Sequence, residues 1–282
     1  MSQSIELRNL FFWKSQCFKE DERLFEHCHE DYVKRLEQEY KAIKLWRMPP
    51  RERDARMAAT AIKKGAEAYA VLVEIACSRS SEELLGARKA YHSLFDQSIE
   101  EEASLNIKGP ERKLLVALVS AYRYEGPAMV KEDDAKSEAE ALANAIKNTD
   151  KKKLLEDDEV VRILATRSKP HIQAVYKKYK QISDKNLDED LETTLILKEI
   201  VQCLCSPEKY YAKVLYEALK NGANKKTRKA LTRVIVSQSD AYMKNIKEEF
   251  QTEYGVALSK KIEDTASGSY KDFLVKLVGG GN

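Results

Sequence analysis

Placing Arg79, Arg167 and Gln238 on top of one another brings three stretches of the chain into register. The residues before them align as Leu72/Val160/Leu231, Ile75/Ile163/Val234 and Ala76/Leu164/Ile235, apolar at the i, i+3, i+4 spacing of one helix face. A serine follows in every copy, Ser80, Ser168 and Ser239, and its hydroxyl can accept from the open N–H groups of a following helix. Ser80-Ser81-Glu82-Glu83 adds the glutamate of a capping box. One helix therefore stops and another starts at each of these points. The second helix repeats as Leu84/Ile172/Met243, Ala87/Val175/Ile246 and Tyr91/Tyr179/Phe250, and a third element as Ile99/Leu187/Leu258 and Ala103/Leu191/Ile262. The spacing between copies leaves room for four or five short helices in each unit.

A soluble helical repeat protein suits the composition. Charged residues make up 34% of the chain and hydrophobic ones 43%, with only ten glycines and six prolines in 282 residues, which favours amphipathic helices over a turn-rich all-β fold. No apolar run approaches the ~18 residues that would cross a bilayer, and the amino end lacks the basic-then-apolar build of a signal peptide, so a cytosolic protein is expected. Five irregularly spaced cysteines argue for reduced thiols rather than a disulfide framework. The net charge of +3 is too small to argue for nucleic acid, but it allows attraction to an anionic membrane where basic groups share a face.

Along the chain the pattern divides into one partial and three full units, at 1–50, 51–121, 133–207 and 208–279. The partial unit carries an amphipathic helical pattern through Tyr32-Val33, Leu36 and Ile43-Leu45-Trp46 but has no counterpart of the first helix pair. A missing pair uncovers apolar surface, and Phe11, Phe12 and Trp13 are candidates to fill it. The second unit closes on Leu114-Leu115-Val116-Ala117-Leu118-Val119 and the fourth on Tyr270 to Leu277, with a hinge at Glu125-Gly126-Pro127.

The chain resembles the annexins, and among them the plant annexins. The resemblance rests on Arg53-Asp54-Ala55, on Glu74-Ile75-Ala76-Cys77-Ser78-Arg79-Ser80 with Glu83-Leu84, and on Ala90-Tyr91-His92-Ser93-Leu94-Phe95. Ser120-Ala121-Tyr122-Arg123-Tyr124-Glu125-Gly126, Arg162-Ile163-Leu164-Ala165-Thr166-Arg167-Ser168 and Ala230-Leu231-Thr232-Arg233-Val234 extend it. It implies an all-α fold of right-handed, five-helix superhelical repeats forming a curved disc, whose convex face meets phospholipid through Ca²⁺. It also implies that Asp54, Glu74, Arg79 and Arg233 line a polar axis between the two halves. Glu74 and Arg79 are expected to be buried partners, and Gln238, standing where the fourth copy would carry an arginine, to thin the network on one side.

The departures concern calcium. The resemblance implies a Gly-x-Gly-Thr loop between the first two helices of a repeat and a carboxylate some forty residues on, because carbonyls reach a hard cation only where the backbone is unhindered and a bidentate carboxylate balances its charge. Here the second unit has Lys63-Lys64-Gly65-Ala66-Glu67, with Asn106 at the carboxylate position. The third has Asn148-Thr149-Asp150 followed by three lysines, and the fourth Asn221-Gly222-Ala223-Asn224-Lys225-Lys226, with Thr265 at the carboxylate position and Asp264 displaced by one. Gly222 and Asp264 are the least damaged metal candidates. Lys63, Lys64, Lys225 and Lys226 are candidate membrane contacts, so any calcium dependence should be weak or absent.

Other constellations carry less. His27-Cys28-His29 with Cys17 has no CxxC pair and places i and i+2 on diverging faces. His92 reads as a structural or surface residue, Cys77 and Cys203 as small buried hydrophobes, and the Gly222 to Thr227 segment lacks the first glycine and the preceding strand of a phosphate loop. No nucleophile–base or acid pair stands out, so the chain is not expected to be an enzyme. The reading is a peripheral membrane protein at the plasma membrane or endomembranes that binds anionic phospholipid. The alternative is a calcium-independent helical scaffold for cytoskeletal or other protein partners.

Overall fold

The computed structural model describes residues 22–120, 122–125, 130–220, 225–239 and 242–279, and for 22–32, 34, 35, 151 and 225–228 only the helical backbone. Phe11, Phe12, Trp13, Cys17, Gly126, Pro127 and Gly222, and the side chains of His27, Cys28 and His29, lie outside that set.

Every element among the described residues is helical. A long helix, α1 (Glu22–Arg47), precedes the repeats. The second unit follows as α2 (Pro50–Lys64), a 3-10 turn at Gly65–Ala68, α3 (Tyr69–Ser78), α4 (Ser81–Phe95), α5 (Ile99–Asn106) and α6 (Glu111–Val119). The third is α7 (Glu132–Asn148), the single turn α8 (Lys151–Leu154), α9 (Asp158–Thr166), α10 (Lys169–Ser183), α11 (Leu187–Asp190) and α12 (Leu195–Cys205). The fourth is α13 (Pro207–Ala218), α14 (Lys225–Gln238), α15 (Met243–Tyr254), α16 (Leu258–Thr265) and α17 (Gly268–Val278).

The aligned apolar positions are the core. Leu72, Val160 and Leu231 are all buried, as are Tyr91, Tyr179 and Phe250, and Ala103, Leu191 and Ile262. Helix starts follow the serines in two copies. Ser80 forms a complete capping box with Glu83, and the Ser168 hydroxyl accepts from the His171 N–H. The third copy differs, because the Ser239 hydroxyl donates back to the Val236 carbonyl and α15 begins only at Met243. A further in-register feature closes the second helix of each pair: Asp96, Asp184 and Gly255 all take the left-handed conformation, with φ of 57°, 58° and 70°.

The first helix packs on the last unit. α1 lies against α14 and α17, with Trp46 edge-on to Phe273 at 6.1 Å between ring centroids and Ser269 hydrogen-bonded to Glu39. Its outer face leaves Val33, Leu36 and Tyr40 exposed, spaced as one stripe on the helix.

Candidate functional site

Between the second and fourth units lies a buried charged cluster. The Arg79 guanidinium, at the carboxyl end of α3, donates from Nε to Asp54 Oδ2 (2.7 Å) and from Nη2 to Asp54 Oδ1 (3.1 Å) on α2. Nη2 also reaches the Ser237 carbonyl on α14 at 3.2 Å. One turn back on α3, Glu74 accepts two hydrogen bonds from Arg233 of α14, at 2.8 and 2.6 Å. Glu74 and Arg79 are therefore not each other's partners. Five residues along a helix turn a side chain through roughly 140° from its starting direction, so each seeks a charge on a different neighbouring helix.

Burial opposes both guanidinium charges, yet the facing carboxylates more than offset it and leave Arg79 and Arg233 with raised pKa values. The Tyr211 hydroxyl donates to Ser78 Oγ at 3.0 Å, and Lys169 Nζ donates to the Ser78 and Arg79 carbonyls, satisfying the end of α3 from the third unit. Arg123 does the same for α9, donating to the Leu164 and Arg167 carbonyls.

A second cluster, around Glu138 of α7, was not singled out from sequence. Glu138 accepts from Arg162 (2.7 Å) and Arg167 (2.7 Å from Nε) of α9 and sits 2.8 Å from His171 Nε2 of α10. Burial alone would raise its pKa, but these donors outweigh that and lower it. The alignment of Arg167 on Arg79 was the available signal, since an arginine repeated in register calls for a repeated carboxylate on the preceding helix. In the fourth unit both members are replaced. Tyr211 stands on α13, and the fully buried Gln238 keeps its Oε1 without a hydrogen-bond partner among the described residues.

The corners where calcium chemistry is expected are differently arranged. Asn106 ends α5 with its amide donating to the Glu102 carbonyl at 3.0 Å. Thr265 ends α16 with its hydroxyl on the Lys261 carbonyl (2.8 Å) and within 3.4 Å of the Leu219 carbonyl, at the corner after α13. Asp264 is exposed and paired with Lys260 at 3.1 Å on its own helix. Asp150 caps α8 by accepting from the Lys152 and Lys153 N–H groups. Among the described residues no three His, Cys, Asp or Glu side chains converge as a metal site would need. Lys63 and Lys64 are exposed at the end of α2, and Lys225 and Lys226 open α14. His92 is exposed, whereas Cys77 and Cys203 are buried thiols.

The annexin family model matches residues 53–118, 137–195 and 210–277. The chain belongs to the annexin family. It is 47% identical to Annexin D4 of Arabidopsis thaliana over 281 residues, covering 97% of this chain and 88% of that one. Against Annexin-like protein RJ4 of Fragaria ananassa the identity is 40%, covering 89% and 81%. Among solved structures it superposes on annexin III with a TM-score of 0.76 at 26% identity, covering 87% of this chain and 76% of that one. Chicken annexin V gives a TM-score of 0.73 at 29% identity, covering 86% and 77%. This annexin thus joins its second and fourth units through Glu74 and Arg233, while its expected carboxylate positions hold an amide and a hydroxyl, each donating to backbone carbonyl oxygens.

Proposed function

We propose that this annexin is a peripheral membrane protein that binds anionic phospholipid with weak dependence on calcium, held to the surface largely by its corner lysines. One observation carries the reading. Asn106 and Thr265 occupy the carboxylate positions without the negative charge or paired oxygens a hard cation needs. Each donates to a carbonyl one turn back on its own helix, and the Thr265 hydroxyl also faces the Leu219 carbonyl at the corner after α13. Asp264 and Gly222 remain the residues through which a residual site in the fourth unit would act, with Asp264 first having to leave Lys260. Lys63, Lys64, Lys225 and Lys226 would each gain about 1 kcal/mol near an anionic bilayer. No helix among the described residues is long and apolar enough to cross a membrane, and we place the protein in the cytosol, at the plasma membrane or endomembranes. The polar axis of Asp54, Glu74, Arg79 and Arg233 is assigned a structural role, joining the halves. Family membership weighs against the alternative of a scaffold for protein partners alone.

Vesicle co-sedimentation tests this. Binding to phosphatidylserine vesicles should persist in chelator at low salt, fade as salt shortens the screening length, and weaken in a Lys225→Glu/Lys226→Glu variant. Saturable binding driven by micromolar calcium, abolished by chelator and indifferent to those lysines, would overturn it.

A further inference from the structure

The two most exposed large aliphatic side chains among the described residues are Leu105 and Leu195, each at 65%. They flank the equivalent corner of successive units from its two sides, although they are not in register: Leu105 aligns with Thr193, and Leu195 with the buried Ile107. Leu105 lies in the last turn of α5, at the corner leading to α6, and Leu195 begins α12, at the corner following α11. A single exposed leucine is ordinary, but the same residue uncovered at the same corner of two repeats calls for an account.

These corners neighbour lysine-bearing segments of their own units. In the second unit α5, which carries Leu105, packs against α2, which ends at Lys63 and Lys64. In the third, Asp150 and Lys152 line a hollow together with Thr193 and Thr194, the residues just before Leu195. Lys113 of α6 joins the two units, donating to the Glu156 carbonyl and to Asp158 Oδ1, both at 2.6 Å. Beside Leu105, the Lys108 ammonium sits 2.6 Å from the Leu105 carbonyl, and Lys63 and Lys64 are exposed at the end of the same unit's first helix. Glu192, beside Leu195, is neutralised by Lys198 at 2.7 Å.

We infer that Leu105 and Leu195 are lipid-insertion points that enter the interfacial layer of an anionic bilayer while the neighbouring lysines engage its headgroups. This rests on the membrane-binding reading above. The chemistry selects a bilayer over a protein partner: a stable protein interface covers about 800 Å² on each side in a continuous, complementary patch, whereas two leucines in different units present none. A fluid interface receives each side chain separately and rewards each by the apolar area removed from water. An ammonium next to a leucine matches the change from headgroup to acyl chain over a few ångströms.

The insertion term differs from the lysine term in its response to salt, and the test uses that difference. Vesicles of phosphatidylserine and phosphatidylcholine are titrated with the full chain, with Leu105→Ala/Leu195→Ala, with Lys225→Glu/Lys226→Glu, and with Leu85→Ala/Ile182→Ala, two exposed aliphatic residues away from these corners. Thermal melts check that all remain folded. The leucine pair should weaken binding about tenfold or more and abolish whatever binding survives at high salt, with the control pair unchanged. Wild-type affinity in Leu105→Ala/Leu195→Ala, with loss in the lysine variant, would overturn the insertion and leave the lysine reading standing. An equal loss in the control pair would overturn it too. Absence of vesicle binding by the unmodified chain, with calcium or with chelator, would overturn both.

Discussion

Glu74 shows how much a single buried carboxylate can organise. At 4% exposure it has lost nearly all its water, and two hydrogen bonds from Arg233 replace that solvation. Truncating either partner alone strands the other, at a cost of about 3–5 kcal/mol. In double-mutant cycles the pairs Glu74–Arg233 and Asp54–Arg79 should each show strong coupling, and Glu74–Arg79 clearly less. A larger coupling for Glu74–Arg79, measured by chemical denaturation, would contradict the pairing. Glu138 supplies a pH signature. Its folded-state pKa lies below the unfolded value, so its ion pairs stabilise the fold above the unfolded pKa of about 4.3, and that stability is lost as pH falls through the lower, folded value. Glu138→Gln should reduce stability at pH 7 and flatten the acid limb of the stability curve; an unchanged slope between pH 5 and pH 3 would show that Glu138 contributes nothing to it.

The element scale is governed by helix ends. Fifteen-residue helices α4 and α10 both stop at an aspartate in the left-handed region, where α15 uses Gly255. A Cβ in that conformation costs roughly 1 kcal/mol that glycine avoids. Asp96→Gly and Asp184→Gly should therefore leave stability unchanged or raise it by up to about 1 kcal/mol, whereas Gly255→Asp should lower it. Urea midpoints decide this, and a loss on both glycine substitutions would mean that the aspartate side chains themselves hold the turns. Sequence periodicity placed these helices correctly because the signal is local: a 3.6-residue repeat of apolar positions and a serine at each start. It did not reveal the shared aspartate stop, which becomes visible only when backbone angles are compared. It also misjudged Ser239, whose hydroxyl turns back on its own helix.

At the scale of the whole molecule, α1 closes onto α14 and α17 rather than onto the unit that follows it in sequence. Trp46 is half exposed, and its buried half rests on Phe273. Trp46→Ala should lower the melting temperature by a few degrees, in line with about 1 kcal/mol of lost contact in a chain of this size. An unchanged melting temperature would mean that this contact adds no stability. The apolar stripe of Val33, Leu36 and Tyr40 remains on the outer face of α1.

The sequence by itself determined the repeat register, the helices and the buried apolar set, because each follows from neighbours within a few turns. The resemblance carried by its motifs also implied that Asp54, Glu74, Arg79 and Arg233 belong together. Only the tertiary structure decided who meets whom: Glu74 with Arg233 across 159 positions, Thr265 with the Leu219 carbonyl across 46, Trp46 with Phe273. A side chain's direction is fixed by its own helix, but its partner is fixed by the angle at which a remote helix crosses, and that angle is set by the packing of the whole apolar interior.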